Sequence, residues 1–364
     1  MPATASRPDG SSTPESGESP AAAAAASAPA PRRTKRARPG RIALVFLVAS
    51  VVLVLMVLAS LAFGVRAMDP AQVWRAIFSP DTADPDQFVV LQLRVPRTVI
   101  GLVAGVALGL AGTVIQGVTR NPIADPGLLG INAGASLAVV LGISFLGLVD
   151  PLGYIWLAFA GAALAAVAVF SIGHGEPVRL ALVGAAVTAF ITPLIALVLL
   201  QDTEAFNQYR FWAVGSLTGR ELSTVGVLWP FLLVGAVLAF FLAHRLNLLA
   251  LGEDVASALG QRVGVTRALA GAAIVLLCGT ATALAGPIAL VGLVVPHAAR
   301  RLIGSDYRLV MPLALLLGPI MLLAADVLGR LIVPNAELEA GVVAAFLGAP
   351  VLIAVARSRK VAGL

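Results

Sequence analysis

The segment from Leu93 to Ser136, LRVPRTVIGLVAGVALGLAGTVIQGVTRNPIADPGLLGINAGAS, narrows the folds open to this chain more than any other. It begins with Arg94 and Arg97 around Pro96, passes through an apolar stretch rich in glycine, and ends in a loop of Asn, Pro, Asp and Gly. An apolar run of roughly 20 residues is what a helix needs to cross hydrocarbon. Backbone polar groups have no water to bond there, so the span must be helical, and irregular backbone survives only beside protein or a cavity. The segment therefore reads as a membrane span with a charged patch at one surface and a polar re-entry loop at the other.

The remaining sequence repeats that pattern. With 59% hydrophobic and 12% charged residues, the chain lies above the roughly 45–50% apolar content of soluble domains. Ten spans are predicted, near 42–65, 97–117, 127–148, 151–172, 179–200, 223–244, 267–285, 288–302, 309–332 and 340–357, giving an all-α polytopic membrane protein. Residues 1–40, rich in Ala, Pro and Ser, are expected to form a disordered, basic cytoplasmic tail, and 41–364 the transmembrane domain. The first apolar run follows a basic stretch as in a signal peptide, but it is longer than a secretory core of about 7–15 residues and lacks a small-x-small cleavage site. It is expected to stay as an uncleaved span. Of the 25 Lys and Arg, this layout puts eighteen on the side of the N-terminus, which predicts cytoplasmic termini by the positive-inside rule. Arg94, Arg97 and Arg330 are exceptions on the predicted outer face.

A shift of 174 residues aligns Gly105 with Gly279, Leu110-Ala111-Gly112 with Leu284-Ala285-Gly286, and Pro122 with Pro296. The two copies would enter the membrane from opposite sides, an inverted repeat of the kind transporters use.

Several chemistries lack their residues. A phosphate-binding P-loop needs a lysine after its last glycine, and the chain's two lysines, Lys35 and Lys360, do not follow glycine. Proton-coupled carriers keep carboxylates or histidines within their spans. Asp326 comes closest here, and Arg330 four residues on makes a helix-face ion pair its plainer reading. His174, His244 and His297 fall near predicted cytoplasmic helix ends without a second ligand at metal-binding spacing. Cys278 stands alone in an apolar run, so no intramolecular disulfide or thiolate cluster can form. The net charge of +6 falls in loops and tail without the aromatic-interleaved stripe of a nucleic-acid binder. Neither a catalytic constellation nor a metal site is expected.

The blocks LRVPR (93–97), QGVTRNPIADPGLLG (116–130), LGEDVASALG (251–260), GPIALVGLVVPHAARRLIG (286–304) and AELEAGVVAAFLGAP (336–350) resemble, in order, signatures of FecCD-type permeases of ABC importers for iron–siderophore complexes and vitamin B12. Glu339 departs from the family pattern, which often has proline there, and so affects the local outer-loop geometry.

The resemblance implies a permease without its own nucleotide site or bound cofactor. ATP would be used by two partner ATPase chains, beneath a second permease copy, with cargo delivered by an extracytoplasmic siderophore-binding protein. It implies that Arg94, Arg97 and Arg330 receive carboxylates of that protein; their plainer reading is interfacial anchoring or local pairing. It makes Leu251, Gly252, Glu253, Asp254, Ala256, Leu259 and Gly260 the segment that couples to the ATPase. Glu253 and Asp254 suit a helix's first turn and Gly260 its end, and a membrane-surface helix is the alternative. It makes Asn121, Pro122, Glu176, Pro177 and Val178 channel or gate residues, each of which also suits a simple hydrophilic turn. Ferric siderophores are the expected cargo, with vitamin B12 or haem as the alternative. An ion-coupled secondary transporter is the competing class, and the scarcity of carboxylates within the spans weighs against it.

Overall fold

The computed structural model describes residues 39–64, 68–79, 84–148, 150–173, 177–333 and 336–357. Helices and connecting turns account for these residues, with no strand among them. Residues 1–38 of the expected disordered tail lie outside the described residues, its last two, Pro39 and Gly40, begin the first helix, and the helices belong to one compact unit.

Helix α1 (Pro39–Ala62) leads to a short α2 (Pro70–Phe78). Asp69 starts α2 with a full capping box, accepting from Ala71 N–H while the Gln72 side chain accepts from the Asp69 N–H, which satisfies amides that a helix start leaves bare. A short helical turn, Pro85–Phe88, and a π-helical turn, Val89–Arg94, feed directly into α3 (Val95–Thr119). Then come α4 (Ile131–Leu146), α5 (Pro151–Gly173), α6 (Pro177–Gln201), α7 (Thr203–Ala213) and α8 (Leu222–Leu249). The short α9 (Glu253–Ala258) precedes α10 (Val263–Ala285), α11 (Val291–Ile303), α12 (Tyr307–Ile332) and α13 (Ala340–Ala356).

Seven of these segments are long and apolar enough to cross a membrane, α4 and α13 are shorter apolar helices, and α11 is short and carries His297, Arg300 and Arg301. Together they match the ten predicted spans to within about five residues. The largest shift is at α8, which continues to Leu249 because His244, Arg245 and Asn247 extend the helix beyond its apolar portion. Of the glycines the repeat aligns, Gly105 and Gly279 both lie inside helices, α3 and α10, whereas Gly112 lies inside α3 and Gly286 ends α10 at φ 75°.

Helix α3 is the axle of the bundle. Twenty of its 25 residues are buried, and it packs against α10, α11 and α12. Gly101, Gly105 and Gly109 make a small-residue stripe that lets it lie against α12, where the Gly105 backbone meets Gly318 and Pro319. Without a hydrophobic driving force between helices in lipid, such close backbone approach is a principal source of association. Gly112 meets the Gly292 backbone of α11 in the same way, leaving no room for a Cβ. By contrast α1, only 6% buried along its most apolar stretch, presents Leu44, Leu47, Leu55 and Leu58 outward. Both helices are apolar in sequence; neighbours distinguish axle from perimeter.

Candidate functional site

The predicted functional residues separate to opposite ends of α3. At the Arg94 end, the three arginines sit inside the protein, each less than a tenth exposed. Arg97 donates through Nε to Asp326 Oδ1 at 2.8 Å and through Nη1 to Glu337 Oε2 at 2.6 Å. Arg330 donates to Asp326 Oδ2 at 2.8 Å and to the Ser60 and Phe63 carbonyls. Arg94 donates to the carbonyls of Leu61 and Ala62. Two guanidinium groups thus satisfy carbonyls at the C-terminus of α1, where helix geometry leaves acceptors bare and the dipole favours cations. Asp326, fully buried, is held between two arginines. The sequence-based pairing of Asp326 with Arg330 is present, and Arg97 joins it from 229 positions away.

These arginines line a cavity of about 650 Å³ with Gln92, Arg220, Glu221 and Glu337. Helix packing draws the side chains of Arg94, Arg97 and Arg330 inward, onto internal acceptors. Glu337, also in the lining, is more open than the arginines, its side chain 31% accessible. Sequence reading missed Glu337 because its partner is remote in the chain.

At the other end, α9 lies between Gly252 at φ 110° and Gly260 at φ 81°. Glu253 and Asp254 occupy its first turn as expected. Leu251, Val255 and Leu259, spaced four apart, are 61%, 46% and 60% exposed and form an apolar edge. Ala256 differs from its expected outward role: it is wholly buried against the chain itself, because the helix must turn one face to its own bundle. Glu253 Oε1 accepts from Arg120 Nη2 at 3.0 Å and from Arg267 Nη2 at 2.7 Å. The short helix is thereby joined to the end of α3 and the first turns of α10. Arg120 terminates α3 in the left-handed region, φ 52°, a conformation uncommon outside glycine.

Beyond Arg120, Asn121 accepts from the Ile123 N–H and closes a tight turn that includes Pro122, both partly exposed. Asn121 lines a cavity of about 510 Å³ with Asp125 and, across it, Leu180, Ala181 and Ala185 of α6. Val178 is exposed at the start of α6, and Pro177 is its first residue. Glu176 and His174 lie outside the described residues. The structure thus brings the 121–127 loop and the N-terminal half of α6 to one cavity.

A buried polar hub behind this loop was not foreseen. Asp125 accepts from the Gly127 and Leu290 N–H groups. Burial pushes its carboxyl up to about 6, against the lowering effect of those two donors. Leu290 stands at φ 68° as the residue before α11, so Asp125 serves as a cap supplied from another segment. The Gln116 amide donates to the carbonyls of Ala124, Gly292 and Leu293, and Arg300 donates to the Gln116 Oε1. An acidic residue between Ala124 and Pro126, followed by the apolar Leu128 and Leu129, is the sequence signal that could have marked this hub. Among the described residues no three His, Cys, Asp or Glu side chains gather as a metal site, and Cys278 is free and buried.

A bundle with seven described helices long and apolar enough to cross a membrane and shorter ones beside them, with irregular backbone kept beside internal cavities and an amphipathic segment at one end, defines a multi-pass membrane transport protein. The chain belongs to the FecCD transport family, whose sequence model matches residues 52–358. It is 48% identical over 310 residues to the ferric enterobactin transport system permease protein FepD of Escherichia coli (strain K12), covering 84% of this chain and 92% of that one. It is 34% identical to the iron(3+)-hydroxamate import system permease protein FhuB of Bacillus subtilis (strain 168), over 83% of this chain and 79% of the relative. It is 36% identical to the hemin transport system permease protein HmuU of Yersinia pestis, over 76% and 85%. A solved metal-chelate type ABC transporter in an inward-facing conformation superposes with TM-score 0.75 at 28% identity, covering 86% of this chain and 99% of that one. The chain is a membrane component of an ABC importer.

Proposed function

We propose that this chain is the permease through which ferric siderophores enter the cytoplasm, driven by ATP hydrolysis in partner subunits. The observation that carries the reading is 48% identity, over 84% of this chain and 92% of the relative, to a ferric enterobactin permease. The permease would pair with a second copy, identical or paralogous, above two ATPase chains, and would bind no cofactor itself. The α9 end would face the cytoplasm with both termini. Leu251, Val255 and Leu259 would enter a groove on the ATPase, and Glu253 would pass its displacement to α3 and α10.

At the opposite end, an acidic binding protein would dock over the arginine cavity. Arg97 is the arginine best placed to take part, since its partner Glu337 is partly exposed and an incoming carboxylate could replace it. Arg94 and Arg330 would set the surface from within by fixing the end of α1. Asn121, Pro122, Pro177 and Val178 would border the exit of the path, with Glu176 beside them.

Uptake of radiolabelled iron on a panel of siderophores tests the reading in cells with and without the protein, with haem and vitamin B12 run alongside. Loss of one ferric chelate on deletion, not restored by the Arg97→Glu variant, is the expected result. Normal uptake of every chelate alongside lost haem uptake would move the cargo to the second reading, which the 36% identity to a hemin permease favours. An unchanged profile for all of them would overturn the cargo assignment.

A further inference from the structure

Between α5 and α10 runs an apolar groove of about 640 Å³, with a lining separate from the arginine cavity and from the cavity beside the 121–127 loop. Its walls include Ala166 and Phe170 of α5 and Gly264, Ala268 and Gly271 of α10, and Arg267 is the one charged group among its described lining residues. It opens on the bundle perimeter, where Val167 is 61% exposed and Ala268 and Ala272 are exposed. From Gly264 to Leu276, the lining of α10 covers about 18 Å at the rise of a helix. That is close to one leaflet of a hydrocarbon core about 30 Å thick. The groove thus has the length and polarity of an acyl chain, with a guanidinium where a headgroup would sit.

The charge balance at that end names the headgroup. Arg120 and Arg267 share a single carboxylate, Glu253, so the trio carries one positive charge that no described partner offsets. The Arg267 Nε–H is buried with no acceptor among the described residues, and a buried donor without a partner is costly enough that most are satisfied. Basic pockets between membrane helices are where anionic headgroups bind. We propose that this groove is a binding site for an anionic phospholipid, one acyl chain lying over Phe170 and Gly271 and the phosphate pairing with Arg267. The phosphate and Glu253 then compete for the same guanidinium, which ties the bound lipid to the position of α9.

Native mass spectrometry tests this on the full chain, purified in detergent and exposed to equal amounts of phosphatidylglycerol and phosphatidylcholine with identical acyl chains. The expected result is one retained lipid, with phosphatidylglycerol favoured about fivefold, the equivalent of one arginine contact near the surface. Arg267→Gln should bring that preference to near one while lipid is still retained. Ala268→Phe, at an exposed position that blocks the groove without disturbing the core, should remove retention of both lipids while the protein stays monodisperse. Equal retention of the two lipids by the unaltered chain would overturn the headgroup assignment. Retention unchanged by Ala268→Phe would place the lipid elsewhere on the perimeter. A photoreactive group at Ala272 that labels a co-purifying membrane helix rather than lipid would give the groove to a protein.

Discussion

The two ends of α3 use arginine in opposite ways. At the Arg94 end the guanidinium groups are buried, spread over backbone carbonyls and the fully enclosed Asp326, and they lock α1, α3 and α12 together. At the Arg120 end the side chains of Arg120 and Glu253 are 40% and 36% exposed and join a helix of only six residues to the bundle. A buried pair is hard to break because either partner alone is a stranded charge, whereas an exposed pair is worth little and exchanges readily. One end is built as a fixed frame and the other as a joint.

The contrast can be broken most decisively at Asp326. Asp326→Ala leaves Arg97 and Arg330 without their shared acceptor, and removing one partner of a buried pair destabilises by about 3–5 kcal/mol. Thermal unfolding of the detergent-solubilised chain should show the largest fall of any single substitution at either end. A melting temperature within a degree or two of the unaltered protein would mean that the arginine end is not a frame.

The next effect comes from Asp125, whose carboxyl burial raises to about 6 from an ordinary 3.8. The folded state then favours the protonated form, so its stabilisation is fully present below the unfolded value near 3.8 and is lost as pH rises through about 6. For this shift the swing is at most about 3 kcal/mol, at 1.36 kcal/mol per unit. Other carboxylates titrate over the same range, so the quantity to follow is the stability difference between the unaltered chain and Asp125→Asn. That difference should move against the unaltered chain between pH 4 and 7; parallel curves would remove the buried carboxyl from the account.

A smaller, purely steric effect sits midway. At Gly112 an added methyl meets the Gly292 backbone, and backbone cannot step aside as a side-chain tip can. Gly112→Ala should destabilise by about 1–3 kcal/mol, the usual range for overpacking. Gly226, where nothing lies within 4 Å of an added Cβ, provides the control: Gly226→Ala should be neutral or slightly stabilising, since alanine is the better helix former.

The amount legible in the sequence follows the same division. The apolar helices were readable because a bilayer dictates both length and composition, and Gly252 and Gly260 marked α9 because a chain reversal there needs left-handed backbone. The inward course of Arg94, Arg97 and Arg330 was not readable. Arginines near a span end look alike whether they face water or the last carbonyls of a neighbouring helix, and only the packing of α1 decides. Ala256 was misplaced for a similar reason: on a six-residue helix, spacing alone does not tell which edge faces the bundle. Asp125 and Gln116 went unnoticed because their partners, Leu290 and Arg300, lie 165 and 184 positions away.

The smallest stability effect carries the most functional weight. Glu253 is more than a third exposed, so Glu253→Ala should change stability by less than about 1 kcal/mol, as exposed pairs do. If α9 is nevertheless a joint, the same substitution should separate two activities of the assembled importer: ATP hydrolysis continues while transport per ATP falls. Glu253→Asp, which keeps the charge on a shorter side chain, should recover part of the transport, and Glu253→Gln less. Loss of hydrolysis and transport in step, with the complex intact, would mean that Glu253 supports the ATPase contact itself. Full transport in Glu253→Ala would mean that movement of α9 reaches α3 by packing through Ala256 instead, and the contrast between a locked end and a jointed end would then rest on side-chain packing rather than on charge.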